Sequence, residues 1–269
     1  MNRHARTLVE LNGQPAGLDD LRLLAVQNYG HFTSMQVRDG GVQGLDRHLD
    51  RLQRATQELF AHALDLDATR GWMRQAVAGA GELSLRVNVF SRRFDRERPL
   101  TPAAPDVLVT TAPARASASP PLRVGSVHYQ REAPHIKHVG TFGLFHQRRL
   151  AQSRGYDDAL FVASDGAVSE GSIWNVGFFD GQRVIWPDAP MLEGVSMQLL
   201  QAGLRESGVD SVVRRVDLAE VANFRAAFFT NSGCAVQPIA AIDEKIFAAA
   251  PELVQALDAA ARIAPWQAI

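Results

Sequence analysis

The sequence predicts an α+β protein of two domains, the first over residues 1–111 and the second over 124–269, joined by a linker at 112–123. Three observations lead there. The stretch TTAPARASASPPLR, residues 110–123, replaces any hydrophobic period with Pro, Ala and Ser, the composition of a connector. On either side of it strands and helices are mixed, without the regular alternation that a doubly wound parallel sheet needs. With 269 residues and 46% hydrophobic content the chain can bury one large core or two medium ones. There is no internal repeat.

The first domain reads as mixed α and β. HFTSMQV (31–37) and ELSLRVNVF (82–90) read as strands, and GLDRHLDRLQRATQELF (44–60) sets Leu45, Leu49, Leu52 and Leu59 at helical spacing. Beyond the linker, SVHYQREAPHI (126–136) reads as extended. GLFHQRRLAQSRG (143–155) then reads as a helix closed by Gly155. Three strands follow, DDALFVA (157–163), SIWNVGFF (172–179) and RVIWP (183–187). Asp165-Gly166 and Asp180-Gly181 lie between such runs, where Asp-Gly supplies the positive φ of a tight hairpin turn. The second domain is therefore expected to be a meander with helices added.

Charge and cysteine content narrow the function classes. Lys and Arg total 28 against 29 Asp and Glu, so no global field recruits nucleic acid or an anionic membrane, and a small-molecule partner is expected. The N-terminal MNRHARTLVELNGQPAG lacks the apolar run of a signal peptide, and no stretch reaches the ~18 apolar residues of a membrane span, which points to the cytoplasm. The single cysteine, Cys234, cannot close an intrachain disulfide, and its neighbours NSGCAVQP include no charge to activate it as a nucleophile. His128, His135, His138 and His146 match no metal-ligand spacing, so no metal is expected.

Two residues stand out chemically. Lys137 is the only lysine of the central region and precedes the small-residue run HVGTFG, which leaves room for a flat ligand; such an amine suits a Schiff base if burial lowers its pKa. A lone lysine is more often a solvated surface group. Glu170, in DGAVSEGSIWN, follows a turn and precedes a strand; turned inward, its carboxylate needs a partner such as a pyridinium nitrogen, and turned outward it is an ordinary turn acid. Anion sites are also legible. Gly194-Val195-Ser196 begins a helix whose free N–H groups favour a phosphate, and Thr230-Asn231-Ser232-Gly233 can present small polar donors in a nest. An arginine from RHLDRL would complete them.

Together these segments resemble the class IV, fold-type IV pyridoxal-phosphate enzymes, which include branched-chain and D-amino acid aminotransferases and aminodeoxychorismate lyases. The resemblance rests on IKH, GYDDALFVASDGAVSEGSIWNVGFF, LEGVS, FFTNSGCAVQPIAAID and YGHFTSMQVRDGGVQGLDRHLDRL, in the family's order, over about residues 10–245. It implies the two-domain fold-type IV architecture, a homodimer, and pyridoxal 5′-phosphate as cofactor. It also implies that Lys137 forms the internal aldimine and shuttles the α-proton. Glu170 would pair with the ring nitrogen, Arg51 would bind the phosphate with Gly194, Val195, Ser196, Asn231 and Ser232, and Asn175 would support the site. Arg86, on a strand, is a candidate for a substrate carboxylate, with a structural salt bridge as its alternative. His31 and Thr33 fall where the family lines its substrate pocket, with an ordinary strand-end histidine as the alternative for His31.

The implied reaction is transamination between an amino acid or amine and a 2-oxo acid. The nearer alternative is a lyase forming p-aminobenzoate and pyruvate from aminodeoxychorismate, and the more distant one a relative that only binds a ligand. Departures from the family pattern sharpen the choice. Phe142 stands where branched-chain enzymes carry a tyrosine near the cofactor's phenolic oxygen, Met197 replaces a frequent arginine, and Phe32-Thr33-Ser34 is closer to the lyase version.

Overall fold

The computed structural model describes residues 7–114 and 120–269, so residues 115–119 of the expected linker lie outside the described residues. The chain divides into two compact units. The first comprises Met1–Ala116 with Ile136–Gly140 and Pro265–Ile269, and the second Ser117–His135 with Thr141–Ala264.

Elements run in chain order as β1 (Val9–Leu11), β2 (Gln14–Pro15), α1 (Leu18–Gln27), β3 (His31–Arg38), β4 (Gly41–Gln43) and α2 (Leu45–Phe60). They continue with α3 (Leu66–Val77), β5 (Glu82–Phe90), β6 (Asp106–Pro113), β7 (Leu122–His128), α4 (Phe142–Ser153) and β8 (Asp158–Val162). Next come β9 (Val168–Gly171), β10 (Asn175–Phe179), β11 (Val184–Pro187), α5 (Val195–Glu206) and β12 (Ser211–Arg214). After a short 3-10 helix (Leu218–Asn223) follow β13 (Ala226–Asn231), β14 (Cys234–Ile242), β15 (Lys245–Ile246), α6 (Pro251–Ile263) and β16 (Trp266–Ala268). No described helix is long and apolar enough to cross a membrane.

The first unit is a sheet in the order β16-β4-β3-β5-β6-β1-β2. Period-two alternation decides its two faces. Met35 and Val37 of β3, Leu83, Leu85, Val87 and Val89 of β5, and Val107 and Val109 of β6 form one core with Leu45, Leu49, Leu52 and Phe60 of α2 and Met73 and Val77 of α3. The expected leucine stripe of α2 thus packs as its spacing requires, with Leu59 at its margin. The intervening residues Phe32, Ser34, Arg86 and Asn88 belong to the opposite face, with Phe32 across from Asn88 and Ser34 across from Arg86.

The second unit is built on strands in the order β12-β11-β10-β13-β14-β7-β8-β9, and an added β9–β10 pairing closes the path from β9 back to β10. One core gathers Val124, Leu160, Val162, Val168, Val176, Phe178 and Phe229, and a second packs Trp186 and Phe228 against Met197, Leu200 and Leu204 of α5 and Leu257 of α6. Both Asp-Gly pairs make their turns, with Gly166 at φ 87° between β8 and β9 and Gly181 at φ 107° between β10 and β11.

The expected meander is only part of this unit. The pairs β7–β8 and β11–β12 are parallel, and α4 and α5 are their crossovers. Parallel neighbours need a long connection, and no hairpin signal reports it. The expected extended run through Ile136 stops at His128, and further on Ala133 takes φ 40° ahead of Pro134. The strand expected from Ser172 begins at Asn175. Ser172 and Trp174 instead donate hydrogen bonds to Asp158, at 2.6 and 2.8 Å.

Candidate active site

Lys137 lies in a segment that the backbone fastens to β3. The Phe32 N–H donates to the Lys137 carbonyl (2.9 Å), the Val139 N–H donates to the Gly30 carbonyl (2.9 Å), and His31 and His138 form an antiparallel bridge. This fixes the lysine beside Phe32, with Nζ 4.9 Å from the ring centroid. The Arg86 guanidinium sits over the same ring, its central carbon 3.5 Å from the centroid, and its Nε donates to Asn88 Oδ1 at 2.8 Å. Two cations therefore share the negative face potential of one phenyl ring. Burial pushes the Arg86 pKa down, so an anion here would be stabilising.

On the other face of β3, His31 and Thr33 point at α2 and are closed off from solvent, Thr33 at 0% exposure. The His31 imidazole Nε2 bonds the Thr56 hydroxyl at 3.0 Å. Arg51 Nη2 donates to Thr33 Oγ1 at 2.6 Å, and the same hydroxyl lies 2.6 Å from His48 Nδ1. Burial, then the Arg51 charge, lowers the His31 pKa to about 3. Burial followed by the charges of Arg51 and Lys137 holds His48 well below the usual imidazole range. Thr33 and His31, read from sequence as pocket-lining, are thus engaged inside the unit beside Arg51, whereas Arg86 stands on the opposite face.

In the second unit a bulge places Glu170. Leu160 and Val162 of β8 oppose Gly171 and Val168 of β9, so three steps on β9 answer two on β8. Val168 faces the core, and strict alternation would send Glu170 the same way; the extra residue breaks that alternation, and Glu170 pairs across with Asn175 at 4% exposure. Asn175 in turn pairs with Thr230 of β13. Arg131, buried beyond the end of β7, feels the charge of Glu170, which opposes the lowering of its pKa by burial.

Asn175 also builds the start of α5. Its Nδ2 donates to the Leu192 carbonyl (2.7 Å), and its Oδ1 accepts from the Gly194 N–H (3.1 Å). A Cβ on Gly194 would lie 2.3 Å from that oxygen, so only glycine permits the clamp. No side chain caps this helix, which leaves the first-turn N–H groups of Val195 and Ser196 for an anion. In the turn after β13, Asn231 Oδ1 accepts from the Gly233 and Cys234 N–H groups (2.8 and 3.0 Å), with Ser232 half-buried beside it. Phe142 is 79% exposed and stacks on His146, while Met197 is packed in the α5 core.

Sequence reasoning missed three site residues. His48 carried a usable signal: it lies three residues before Arg51 on the buried side of the leucine stripe, where a polar side chain needs a partner. Arg131 carried none and Phe32 stood out only within Phe32-Thr33-Ser34, since the contacts of both depend on neighbours distant in sequence. Among the described residues no group of three or more His, Cys, Asp or Glu side chains is placed to hold a metal ion.

Residues 30–242 match the family model described as amino-transferase class IV. The chain is 29% identical over 97 residues to a "Probable branched-chain-amino-acid aminotransferase" of Rickettsia felis, a stretch covering 36% of this chain and 33% of that protein. It is 25% identical over 229 residues to an aminodeoxychorismate lyase of Bacillus subtilis, covering 80% of this chain and 78% of that one. Among solved structures, the branched-chain aminotransferase of Thermoproteus uzoniensis with norvaline superposes at a TM-score of 0.83 with 18% identity, over 96% of this chain and 95% of the other.

Proposed function

The chain belongs to the amino-transferase class IV family, whose cofactor is pyridoxal 5′-phosphate, and from that premise we propose that it moves an amino group from an amino acid or amine to a 2-oxo acid. The observation that carries this reading is the fixed placement of Lys137 against β3, its amine beside Phe32 and the Arg86 cation. The donor set fits the cofactor: an amine for its aldehyde, a buried carboxylate for its ring nitrogen, and a guanidinium and an uncapped helix start for its phosphate. When bound, that cofactor supplies an aldehyde and a ring that accepts the electrons left as Cα–H breaks.

In this reading the Lys137 amine would hold the cofactor through its aldehyde, and the same amine would take the substrate α-proton and return it. Glu170 would pair with the ring nitrogen and favour its protonated form, and Asn175 holds the α5 start in place. Arg51 would neutralise the phosphate together with the N–H groups of Val195 and Ser196 at the helix start that Gly194 sets, joined by Asn231 and Ser232. Arg86 takes the substrate carboxylate. The working form is a homodimer, a reading supported by the apolar face that α4 leaves exposed at Phe142, Phe145 and Leu150.

A second reading, aminodeoxychorismate lyase, is favoured by the 229-residue similarity to the Bacillus subtilis lyase and uses the same lysine. One experiment separates the two. The purified protein loaded with cofactor should be yellow, and amino donors should bleach that band only if it is a transaminase. Release of p-aminobenzoate and pyruvate from aminodeoxychorismate, without a 2-oxo acid, would replace the first reading by the second. Failure to take up the cofactor would sink both.

A further inference from the structure

We propose that Thr33 and His48 are positioning residues for Arg51, holding its guanidinium through one directional hydrogen-bond chain in the orientation that receives the cofactor phosphate. The proposal rests on the reading that Arg51 binds that phosphate.

The chemistry of the three groups sets the direction. A guanidinium only donates, so in the 2.6 Å contact Thr33 Oγ1 must accept from Arg51 Nη2. The single hydroxyl proton of Thr33 is then available for the second 2.6 Å contact, to His48 Nδ1. An imidazole nitrogen accepts only if it carries no hydrogen. The burial of His48, with the Arg51 and Lys137 charges nearby, favours the neutral ring that can do so. With the neutral ring in its Nε2–H tautomer, the chain Arg51 to Thr33 to His48 uses each donor once. All three side chains are buried, and α2 sets His48 and Arg51 one turn apart on the side that packs on β3.

Function follows from what these partners lack. A carboxylate in the place of Thr33 would orient Arg51 and also neutralise it. A hydroxyl backed by a neutral imidazole orients it without adding a negative charge. Arginine has high rotamer entropy, and fixing it beforehand removes that cost from ligand binding.

The test compares pyridoxal 5′-phosphate with pyridoxal, which lacks the phosphate, by titrating each into the apo-protein and following absorbance. Thr33→Val and His48→Leu should each weaken pyridoxal 5′-phosphate binding by about tenfold while pyridoxal stays within about twofold, the scale of one lost charge-assisted hydrogen bond. Thr33→Ser should restore the wild-type preference, as should His48→Asn, whose Oδ1 can accept in place of Nδ1. Thermal melts of all variants accompany the titrations, and the two conservative variants keep the test open if Thr33→Val does not fold. Equal losses for both ligands, or no loss in either non-conservative variant, would overturn the positioning role. Arg51→Ala is the separate control: if it leaves the preference for the phosphorylated ligand intact, the phosphate reading itself fails.

Discussion

Glu170 lies directly across from Asn175 in the β9–β10 pair, and the same Asn175 side chain bridges Leu192 and Gly194 at the start of α5. One asparagine thus couples the carboxylate proposed for the ring nitrogen to the helix start proposed for the phosphate. The distance between those two subsites is set by a strand register and two hydrogen bonds.

The first prediction concerns the charge of Glu170. Glu170→Gln keeps the volume and removes the charge, so the ring nitrogen loses its proton and the ring becomes a poorer electron sink. The variant should fold and bind cofactor, yet lose at least about tenfold in single-turnover proton transfer, roughly 1.4 kcal/mol of barrier. Wild-type rates in stopped-flow absorbance would show that Glu170 does not face the cofactor.

Gly194→Ala tests the clamp. Its Cβ would meet Asn175 Oδ1 at 2.3 Å, so the helix start must shift or the amide must let go. Losing such a hydrogen bond costs about 1 kcal/mol, and cofactor affinity should fall roughly fivefold to tenfold on titration. An unchanged affinity would separate the clamp from phosphate binding.

Asp158→Ala addresses stability rather than chemistry. This fully buried carboxylate accepts from Ser172, from Trp174 and from the Ala159 N–H, and pairs with Arg148 of α4. Removing it strands several donors at once. Denaturant unfolding should show a loss of about 3–5 kcal/mol, the range for breaking a buried ion pair. A loss below about 1 kcal/mol would mean that water replaces the carboxylate at little cost.

A pH prediction follows from His31. Its pKa is about 3 in the fold against an ordinary 6.5, and His48 is shifted in the same direction, so below the ordinary value the unfolded chain binds more protons than the native one. Stability is then complete above about pH 6.5 and falls as the pH drops toward 3, by up to about 1.4 kcal/mol per unit for each histidine. Urea midpoints measured between pH 7 and pH 5 should decline, and His31→Gln should flatten the decline. A midpoint independent of pH across that window would contradict the buried neutral state.

What the sequence revealed was local. The leucine stripe of α2, Gly155 closing α4 and both Asp-Gly turns are set by neighbours within a few positions. The bulge at Glu170 was not legible, because an extra residue in a strand shows only against its partner strand. Nor was the packing of His31 and Thr33 under α2: placed by the resemblance at a substrate pocket, they are engaged by Thr56, and by His48 and Arg51, respectively. Lys137 was legible as an unusual lysine, and the hydrogen bonds that return its segment to β3 span about a hundred positions.

The pairing of β16 with β4 bears on any attempt to dissect the chain. A fragment cut after Pro113 would keep six strands of the first sheet and lose the one that covers β4, leaving the edge of β4 that faced it as a bare margin. Such a margin templates strand addition from another molecule. The isolated fragment should therefore self-associate, and a synthetic peptide spanning residues 265–269 should compete with that association.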